Sequence, residues 1–514
     1  MRPPTLRRLT AVLAALVLSG SVAAQAATPA VPITSDPRDA LVAPFTGEAV
    51  DARPVPPQRL ARNPFMAANG RSNIHNDGYQ SDAYDQAGPL GHDLQVSTTL
   101  LAAECASVTF DRRGRIVTVC VSPTGASLRM IDPDDLSTLA SYELPRREEV
   151  GSFSFSNFNG GGYFYLDHRD RAVVSTFTGH VLTLARAGST FRVVRDIDLS
   201  RVVQGSGIQS ALPDWSGRLW FITVSGVVGF VTRGGQVRHL RLPRPETIAN
   251  SFAMDESGGV FIVSTHALYR FDVRRGRPDV TWRQVYDRGS RIKPGQVSRG
   301  SGTTPTLVGR ADSLGGGSIA ITDNADPRMH VLVLRRGKGG PGERAVCRQP
   351  VFPAERGNTE NSLISVPGGL VVENNYGYAG PLPTLSSGRS ADTVPGMVKI
   401  AVDYRDGGCR VAWSNNRVRV PSLVSKYSRG SGLIYTYTHP AADELPLIGP
   451  LPAALAPDAF FFTALDARTG REVWSRFTGS NLGHNNNYAP VSIGPDGVAY
   501  VGVVGGLLRV ADGN

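Results

Sequence analysis

The chain has 514 residues, 41% of them hydrophobic, and carries 54 Lys and Arg against 44 Asp and Glu, which gives a formal net charge of +10. The basic residues are scattered and never form a run of four, so the composition favours a solvated basic surface and argues against nucleic-acid binding. The 57 glycines and 36 prolines interrupt the sequence throughout. No long helical period lies between them, which predicts an all-β protein built from many short strands.

The first 26 residues have the pattern of a secretory signal peptide. Three arginines precede an apolar run between Leu9 and Leu18, and small residues then lead to a cleavage site near Ala26. That run is too short to span a bilayer, and no other stretch approaches 18 apolar residues, so we expect no membrane insertion. The sequence therefore predicts export of a soluble protein that is secreted or periplasmic.

Two further regions follow the predicted signal peptide. Residues 27–65 are rich in Pro, Ala and Arg, which is typical of a flexible leader. Residues 66–514 are predicted to form one propeller domain. Near its start, at residues 73–91, stands the tract NIHNDGYQSDAYDQAGPLG.

The four cysteines suit an oxidising compartment. Cys105 and Cys120 flank the turn DRRG, and pairing Phe110 with Arg115 would place the two thiols opposite each other on adjacent antiparallel strands. We therefore predict a cross-strand disulfide between them. Cys347 and Cys409 are its counterparts by elimination, but they fall on the outer strands of consecutive repeats, so a disulfide and two buried thiols both remain open.

From about residue 100 the sequence repeats a unit of roughly 40 to 55 residues, a period typical of propellers or solenoids. Its clearest mark is an Asp or Gly turn between two apolar strands, as in FDRRGRIVTV at Phe110 and MDESGGVFIV at Met254. Seven complete four-stranded units can be counted. An eighth begins at Tyr488 and has only three strands. Because an open sheet edge invites aggregation, the prediction is an eight-bladed β-propeller in which a strand from before residue 100 closes the last blade.

The loops of such a propeller divide between two faces. The short-turn face carries the turns between first and second and between third and fourth strands; the long-loop face carries the remaining connections. In this sequence the long-loop face holds the loops rich in Asn, Tyr and His, which offer hydrogen bonds and stacking surface without fixed charge. Seven residues are predicted to bind a ligand around the mouth of the central channel: Glu360, Asn374, Asn375, Tyr376, His484, Asn486 and Tyr488. The competing interpretation is that Asn populates these loops because it tolerates left-handed turns.

Two other groups of residues are candidates for chemistry. Closure of the last blade would bring His75 and His484 near each other, where, with Asp77, they could hold a metal ion, exchange protons or simply fasten the closure by hydrogen bonds. Asp323 and Asp326 in TDNADP offer oxygen ligands suited to calcium, although the spacing is not that of an EF-hand.

The tract TALDARTGREVW at residues 463–474 reads as a strand, a tight turn and a second strand ending in Trp. It resembles the docking motif of quinoprotein-like β-propellers, the pyrroloquinoline quinone repeat type, and residues 73–91 resemble their opening tract. The resemblance implies structural roles at blade interfaces for the following residues: Ala464, Asp466, Thr469, Gly470 and Trp474.

The resemblance also suggests a bound pyrroloquinoline quinone used to oxidise alcohols or sugars. The alcohol dehydrogenases of that type carry a vicinal cysteine pair over the cofactor, and this chain has none. Nothing here resembles a nucleophile elbow, a zinc-protease motif or a phosphate-binding loop. The sequence therefore predicts a monomer whose long-loop face binds a polar small molecule, a glycan or a protein loop. The alternative is an enzyme at the same face, either an oxidoreductase or a metal-assisted lyase or hydrolase acting on a carbohydrate-like substrate.

Overall fold

The computed structural model describes residues 27–58, 60–146, 160–311, 317–337, 344–381, 393–449 and 455–513. The predicted signal peptide lies outside these residues. The helices of the described part are short, for example α1 at Ser200–Val203 and 3-10 turns at Pro37–Leu41 and Leu482–His484. None of them has the length and apolar content needed to cross a membrane. The remaining regular structure is β, as the sequence predicts.

The strands are numbered in chain order. The N-terminal region contributes β1 Phe45–Gly47, β2 Ala83–Tyr84 and β3 Gln95–Leu100. The next eight are β4 Glu104–Phe110, β5 Ile116–Ser122, β6 Gly125–Ile131, β7 Thr138–Glu143, β8 Tyr165–Leu166, β9 Ala172–Ser175, β10 His180–Ala187 and β11 Thr190–Asp198. Then follow β12 Ile208–Pro213, β13 Leu219–Thr223, β14 Val227–Val231, β15 Val237–Arg241, β16 Ala253–Met254, β17 Val260–Val263, β18 Ala267–Arg274 and β19 Arg277–Val285. The next are β20 Thr306–Val308, β21 Ser318–Thr322, β22 His330–Arg335, β23 Ala345–Pro350, β24 Ile364–Val366, β25 Gly369–Glu373, β26 Met397–Val402 and β27 Cys409–Asn415. The last are β28 Lys426–Ser428, β29 Leu433–Thr438, β30 Ala459–Asp466, β31 Glu472–Ser480, β32 Val491–Ile493, β33 Ala499–Val503 and β34 Gly506–Ala511.

The strands form antiparallel meanders that follow one another along the chain. Four sheets contain four consecutive strands each, β12–β15, β16–β19, β20–β23 and β24–β27. Strands β4–β7 and β8–β11 are two further meanders, joined into one sheet by the single parallel pair Ser141 and Thr190. The sheet β28–β31 gains β1 and β2 at its edges, and β32–β34 is completed by β3.

Adjacent meanders pack through the region of their first strands. Polar side chains there bond across to the neighbouring meander, and the last meander returns to the first, so the sheets form a closed ring. This closed ring of meanders is a β-propeller. Three of the links are Ser210 with Ser251 at 2.8 Å, Thr306 Oγ1 donating to Leu363 O at 2.7 Å, and Ser492 Oγ donating to Val108 O at 3.2 Å.

Burial along the strands follows from this arrangement. Strands β13 and β14 are buried at every residue, whereas the outer strand β19 is buried only at Pro278 and Trp282 and is partly or fully exposed elsewhere. An inner strand is covered on both faces by neighbouring meanders and so reads as a continuous apolar run. An outer strand borders solvent and keeps polar residues at alternate positions.

Several turns between the first and second strands of a meander have the same hydrogen-bond pattern around an aspartate. Asp111 Oδ1 accepts from the backbone N–H groups of Arg113 and Arg115, and its other oxygen binds the Arg115 guanidinium. The turns at Asp167 and Asp214 repeat the pattern. An acceptor-only carboxylate satisfies the turn's donors here, which is why Asp opens these turns.

Residues 63–86, called the N-terminal tract below, run across the ends of the first strands on the short-turn face. The tract exchanges hydrogen bonds with one meander after another and closes that end of the central channel. The bonds include Ala67 N to Leu166 O, Met254 N to Gly78 O, Leu307 N to Tyr79 O and Ser365 N to Ser81 O, each at 2.9 Å, and Tyr427 N to Asp82 O at 3.1 Å.

Strand β3 supplies the outer strand of the last meander. It pairs antiparallel with β34, from Gln95 opposite Ala511 to Leu100 opposite Gly506. Just before it, the Asp512 carboxylate accepts from three successive backbone N–H groups, those of Leu90, Gly91 and His92, at 2.7, 2.9 and 2.8 Å. These bonds fix the GPLG turn and hence the register of β3.

The stretch expected to be a flexible leader also contacts the sheets in its described part. Strand β1 pairs with β31, and the Phe45 ring stacks on Trp474 with centroids 6.5 Å apart. Ile33 and Val42 are buried. Its mobility stays a prediction, but these residues cover apolar surface of the propeller.

The two tryptophans near the docking motif occupy matching positions. The indole of Trp413, on β27, lies against Gly470, where an added Cβ would come within 2.3 Å of the ring. Trp474, on β31, is fully buried and lies against Gly91 in the same way, with an added Cβ 2.8 Å from the ring. Each indole therefore packs on a glycine beside the next meander, where a side chain would leave no room.

Both disulfides form. Cys105 opposes Cys120 on β4 and β5, which confirms the predicted cross-strand bridge. Cys347 on β23 and Cys409 on β27 are also bonded, with a Cα–Cα distance of 5.8 Å that suits a disulfide. The gap between consecutive outer strands is therefore small enough to be bridged, which settles the pairing that the sequence left open.

Replacing Trp474 by Ala should lower the free energy of unfolding by about 3 to 5 kcal/mol, because it removes buried area and leaves a cavity between strands. Urea denaturation followed by fluorescence or circular dichroism measures the change. As the control, Val411→Ala on an exposed outer-strand position should change it by less than about 0.5 kcal/mol. Equal effects of the two substitutions would contradict the packing described for Trp474.

A variant that lacks residues 27–95 should aggregate. It loses the tract across the channel end and the start of β3, and so exposes the edge of β34. A variant lacking residues 27–43 keeps all three N-terminal strands and should remain a folded monomer. Size-exclusion chromatography and circular dichroism distinguish the results. A soluble monomer with native melting behaviour after the longer deletion would disprove the closure.

Candidate functional site

A narrow cavity lies on the axis of the ring, in the half of the channel nearer the long-loop face. Its walls come from the segments that lead into the first strands, together with the N-terminal tract at its floor. The free volume is about 30 Å³, comparable to that of one water molecule. The polar residues of the wall are His75, Tyr163, Asn250, Thr304, Glu360, Asn361, Ser362 and Tyr488.

His75 stands at the floor of this cavity and is 3% exposed. Its Nδ1 lies 3.0 Å from Asp82 Oδ1, and its ring stacks on Tyr163 with centroids 6.4 Å apart. Its Nε2 is buried and has no hydrogen-bond partner. Because a carboxylate at Nδ1 favours the tautomer with its proton on that atom, Nε2 is presented to the cavity as an acceptor.

Lys426, at the start of β28, holds Asp82 from the other side. Its ammonium contacts the Asp82 carboxylate and donates to Ile74 O at 2.6 Å, and both charged side chains have no exposed surface. Burial lowers the pKa of Lys426, and the Asp82 charge opposes that shift. Burial by itself would raise the pKa of Asp82, but the interactions with His75 and Lys426 outweigh it and hold that pKa below its usual value. The resulting triad ties the N-terminal tract to β28.

Glu373 forms a second buried group beside the triad. Asn361 Nδ2 donates to its Oε1 at 2.6 Å, and the Ser425 hydroxyl donates to its Oε2. Burial raises the pKa of Glu373 to about 7 despite these donors. At neutral pH this carboxyl is therefore divided between its two protonation states.

Glu360 lies in the cavity wall itself. Its Oε1 accepts from the backbone N–H of Val297 at 3.1 Å, and burial raises its pKa to about 8. The side chain keeps some exposed surface, and its bond to Val297 lies at an exposed edge of the cavity. A carboxyl with a pKa of about 8 is largely protonated at neutral pH and can then act as a hydrogen-bond donor.

Two tyrosines complete the wall near the mouth. Tyr163 and Tyr488 line the cavity together with Glu360, and burial raises the pKa of both tyrosines. Tyr163 bonds to Thr304 and lies 3.4 Å from Asn250 Oδ1, and the Tyr488 hydroxyl lies 3.5 Å from Gly295 O. Both hydroxyls remain protonated donors throughout the physiological pH range.

Glu104 is a third buried carboxyl near the axis. It accepts from Asn487 N at 2.7 Å, and burial raises its pKa to about 8. The Tyr378 hydroxyl donates to Asn486 O in the same loop at 3.1 Å. Glu104 therefore organises the loop that carries Tyr488.

Of the seven predicted ligand-binding residues, the structure places two, Glu360 and Tyr488, in the cavity wall. The side chains of the three predicted asparagines are buried and donate to backbone carbonyls of neighbouring segments. Tyr376 is half-buried, and its backbone N–H donates to Asn374. The asparagine bonds include Asn374 Nδ2 to Arg356 O at 3.0 Å, Asn375 Nδ2 to Val420 O at 3.1 Å and Asn486 Nδ2 to Gly502 O at 2.7 Å.

His75 and His484, which were expected to lie near each other, occupy separate places in the structure. His484 is buried beside Gly479, with its Nδ1 2.7 Å from Ser480 O, whereas His75 lies on the channel axis. Asp77 accepts from Asn69 and Ser81 within the N-terminal tract, and burial raises its pKa to about 6. Asp77 thus shapes the loop around His75 and does not join the two histidines.

Asp323 and Asp326 are both occupied by protein partners. Asp323 lies 2.9 Å from His330 Nδ1 and 3.3 Å from Arg348 Nη2; Asp326 accepts from Ser290 N at 2.7 Å. Within the described residues, no group of three or more His, Cys, Asp or Glu side chains is placed to hold a metal ion. Calcium binding by Asp323 and Asp326 therefore stays a prediction.

Sequence reasoning singled out His75 but missed Asp82 and Lys426, which are 344 residues apart. Neither stands in a motif, and no local spacing could relate them. Tyr163 was missed because it follows a glycine run that reads only as a loop. The signal available for Lys426 was its place in the first strand of a meander, which is buried at every residue and where an unpaired ammonium would be too costly.

Fold and site together define a β-propeller whose central channel is closed at one end by its own N-terminal tract and carries a buried histidine on its floor. No protein-family model matches the chain. An uncharacterized protein of Archaeoglobus fulgidus is 26% identical over 343 residues, which cover 61% of this chain and 63% of that protein. The chain therefore matches less than two thirds of this relative's length.

Solved structures with similar folds include several propellers, at low identity. BamB from Moraxella catarrhalis has a TM-score of 0.43 and 15% identity, covering 82% of this chain and 94% of BamB. Virginiamycin B lyase from Staphylococcus aureus has a TM-score of 0.40 and 8% identity, covering 70% of this chain and 96% of the lyase. At these values the similarities carry no inference about the site.

A quinone cofactor, which the family resemblance suggests, does not fit this cavity. A fused three-ring quinone is many times larger than the free volume of about 30 Å³. In the described wall, the rings of His75 and Tyr163 stack on each other, with centroids 6.4 Å apart, and leave no gap for such a ring.

Lys426→Met should destabilise the protein by about 3 to 5 kcal/mol, because it leaves the buried Asp82 carboxylate without its ammonium partner. Adding Asp82→Asn to the same protein should recover much of this loss, since no charge then remains unpaired. Urea denaturation of the wild type, both single variants and the double variant gives the coupling. Additive losses would contradict a charge pair.

Proposed function

We propose that this protein is an exported, eight-bladed, quinoprotein-like β-propeller that binds a small polar ligand at the long-loop mouth of its central channel. One oxygen-bearing group of the ligand enters the cavity, and the rest lies over the mouth. The observation that carries this proposal is the buried Nε2 of His75, which faces the cavity without a partner. A buried acceptor left unpaired is costly, and a ligand group or an ordered water would satisfy it.

The eight-bladed arrangement is supported by the eight successive meanders that result when β4–β7 and β8–β11 are counted separately. In this arrangement β3 closes the last blade. The quinoprotein-like assignment is supported by the tryptophan–glycine contacts at Gly470 and Gly91. Export is supported by the predicted signal peptide and by the two disulfides, which persist in oxidising compartments.

The cavity wall supplies the recognition groups. Glu360, Tyr163 and Tyr488 can donate hydrogen bonds, and His75 Nε2 can accept one. The predicted residues Asn374, Asn375 and Asn486 support the loops that carry these groups rather than contacting the ligand. A single oxygen-bearing group of a polar small molecule, or of the end of a glycan chain, is small enough to enter the cavity. A protein loop could bind there only by inserting one side-chain oxygen.

A second candidate function is acid–base catalysis on a carbohydrate-like substrate. It is favoured by the His75–Asp82 pair, in which a carboxylate orients an imidazole, together with a protonated Glu360 in the same cavity. Such groups can accept and return a proton in a lyase or hydrolase reaction. Binding remains the first proposal because the free volume admits only one group of a substrate.

Filling the cavity tests the proposal. Ala249→Met adds side-chain atoms to a wall residue and should abolish ligand binding, while Ala412→Met on an exposed outer strand should not. The measurement is the change in melting temperature with a panel of monosaccharides, sugar alcohols and sugar acids. At least one compound should raise the melting temperature of the wild type and of Ala412→Met but not that of Ala249→Met.

Circular dichroism checks that both variants are folded. If no compound stabilises the wild type, or if the filled variant responds as the wild type does, the channel is not the ligand site.

A further inference from the structure

A second cavity lies away from the channel, on one face of the sheet that contains β28–β31 and β1. Its free volume is about 450 Å³, within the range of roughly 300 to 1,000 Å³ that is typical of small-molecule sites. It shares no lining residue with the channel cavity. This cavity is called the lateral pocket below, and its lining includes Thr46, Arg417, Thr438, Phe461, Glu472 and Ser475.

The floor of the lateral pocket is a row of side chains on that face of the sheet. Thr438 on β29 stands opposite Phe461 on β30, and Thr463 on β30 stands opposite Ser475 on β31. Thr46 on β1 stands opposite Ser475 from the other side. Cross-strand partners share a face, and so do residues two apart on one strand. Strand pairing therefore brings together hydroxyl groups from four strands beside one aromatic ring.

The hydroxyls of this row form a directed chain of hydrogen bonds. The Ser475 hydroxyl donates to Glu472 Oε1 at 2.8 Å. Its one proton is thus used, so Thr463 donates in the 2.8 Å bond with Ser475, and Thr438 in turn donates to Thr463 at 2.8 Å. Thr438 Oγ1 then has only acceptor capacity left for a ligand. The Glu472 carboxylate at the other end of the chain also accepts.

The charges that line the lateral pocket sum to zero. They are two arginines, Arg417 and Arg419, and two glutamates, Glu444 and Glu472. Arg419 Nη2 donates to both oxygens of Glu444 at 3.1 Å, so this pair compensates itself. Arg417 is exposed, and among the described residues no hydrogen bond or ion pair engages its guanidinium. The pocket therefore presents one guanidinium donor to a ligand and favours a ligand without net charge.

The remaining wall is apolar. Val418 and Phe461 are buried, and Pro446 is half-buried. A ligand in the lateral pocket must place carbon-bound hydrogens against these residues while its polar groups meet the hydroxyl row. Sugar rings have this distribution, because their hydroxyls point outward around the ring and their faces carry C–H groups.

We propose that the lateral pocket is a second binding site and that it takes a neutral saccharide. A hydroxyl group both donates and accepts, so a saccharide can donate to Thr438 and Glu472 and accept from Arg417. An anionic group can accept from Arg417 but cannot donate to the other two. This proposal goes beyond the channel site and does not depend on it.

The spacing of the acceptors distinguishes a saccharide from an amino acid, which is also neutral overall. Thr438 and Glu472 stand at the two ends of a chain of three hydrogen bonds that crosses from β29 to β31. Donors must therefore be distributed along the ligand. The hydroxyls of a saccharide are distributed in this way, whereas the ammonium and carboxylate of an amino acid share one carbon atom.

Saturation-transfer NMR followed by isothermal titration calorimetry tests the proposal. The probes are the neutral disaccharides lactose, maltose, cellobiose and diacetylchitobiose, with L-serine and L-glutamine as zwitterions. Because the channel is itself proposed to bind polar ligands, each titration is repeated in the channel-filled variant Ala249→Met. At least one disaccharide should bind the wild type and Ala249→Met with equal affinity, and the two amino acids should bind neither.

Two substitutions assign the binding to the lateral pocket. Arg417→Ala removes the guanidinium, and Thr438→Val removes the Oγ1 acceptor with little change of shape. Each should weaken the disaccharide about tenfold in the Ala249→Met background. Arg410→Ala, an exposed arginine on β27 outside the pocket, should leave the affinity unchanged. Circular dichroism checks folding; if Thr438→Val does not fold, the exposed Arg417 decides the test.

The outcomes separate this proposal from the channel site. Disaccharide binding that persists in Ala249→Met and is weakened by Arg417→Ala but not by Arg410→Ala supports the proposal. Binding of no disaccharide, or binding of the amino acids at Arg417, overturns the saccharide assignment. Disaccharide binding that is lost in Ala249→Met and unaffected by Arg417→Ala belongs to the channel, which overturns this proposal and supports the proposed function. Binding unaffected by any of these substitutions lies elsewhere and overturns it as well.

Discussion

The structure depends on one long-range constraint, the attachment of the N-terminal tract to the inner strands of the ring. The tract bonds in turn to Leu166, Met254, Leu307, Ser365 and Tyr427, which belong to five different meanders. Each bond satisfies backbone groups at the end of a short inner strand that would otherwise face the channel unpaired. Because the tract leads on to β3, the same segment both closes the ring and forms the floor of the candidate site.

The buried triad of His75, Asp82 and Lys426 adds specificity to this attachment rather than net stability. Placing an ammonium and a carboxylate in a dry interior costs desolvation energy that their attraction does little more than offset. What the pair does achieve is a unique register, because any shift of the tract along the strands would separate two buried charges. The register in turn holds His75 with its Nε2 toward the cavity, so the buried charge pair sets the position of this unpartnered nitrogen.

Features that repeat along the chain could be predicted from the sequence, and features made by a single long-range contact could not. The apolar runs separated by Asp–Gly turns predicted the strands. The two cysteines that flank one such turn predicted the first disulfide. The loops rich in asparagine were interpreted as a ligand surface, but Asn375 and Asn486 donate to backbone carbonyls of other segments, those of Val420 and Gly502. Asparagine serves both purposes equally well, and a single sequence does not distinguish them. Glu360 and Tyr488 could be predicted because they belong to the same loops. Asp82 and Lys426 could not, because they meet only when the N-terminal tract crosses β28 in the folded protein.

Three carboxyls lie near the axis of the channel. Glu104, Glu360 and Glu373 have pKa values raised to about 8, 8 and 7, in each case chiefly by burial. Glu104 and Glu360 are therefore mainly protonated at neutral pH and can donate, whereas Glu373 is divided between its two forms. Glutamine at these positions would donate at every pH. The acid form therefore makes the polarity of the channel dependent on pH, and the narrowness that excludes bulk water is also the cause of that dependence.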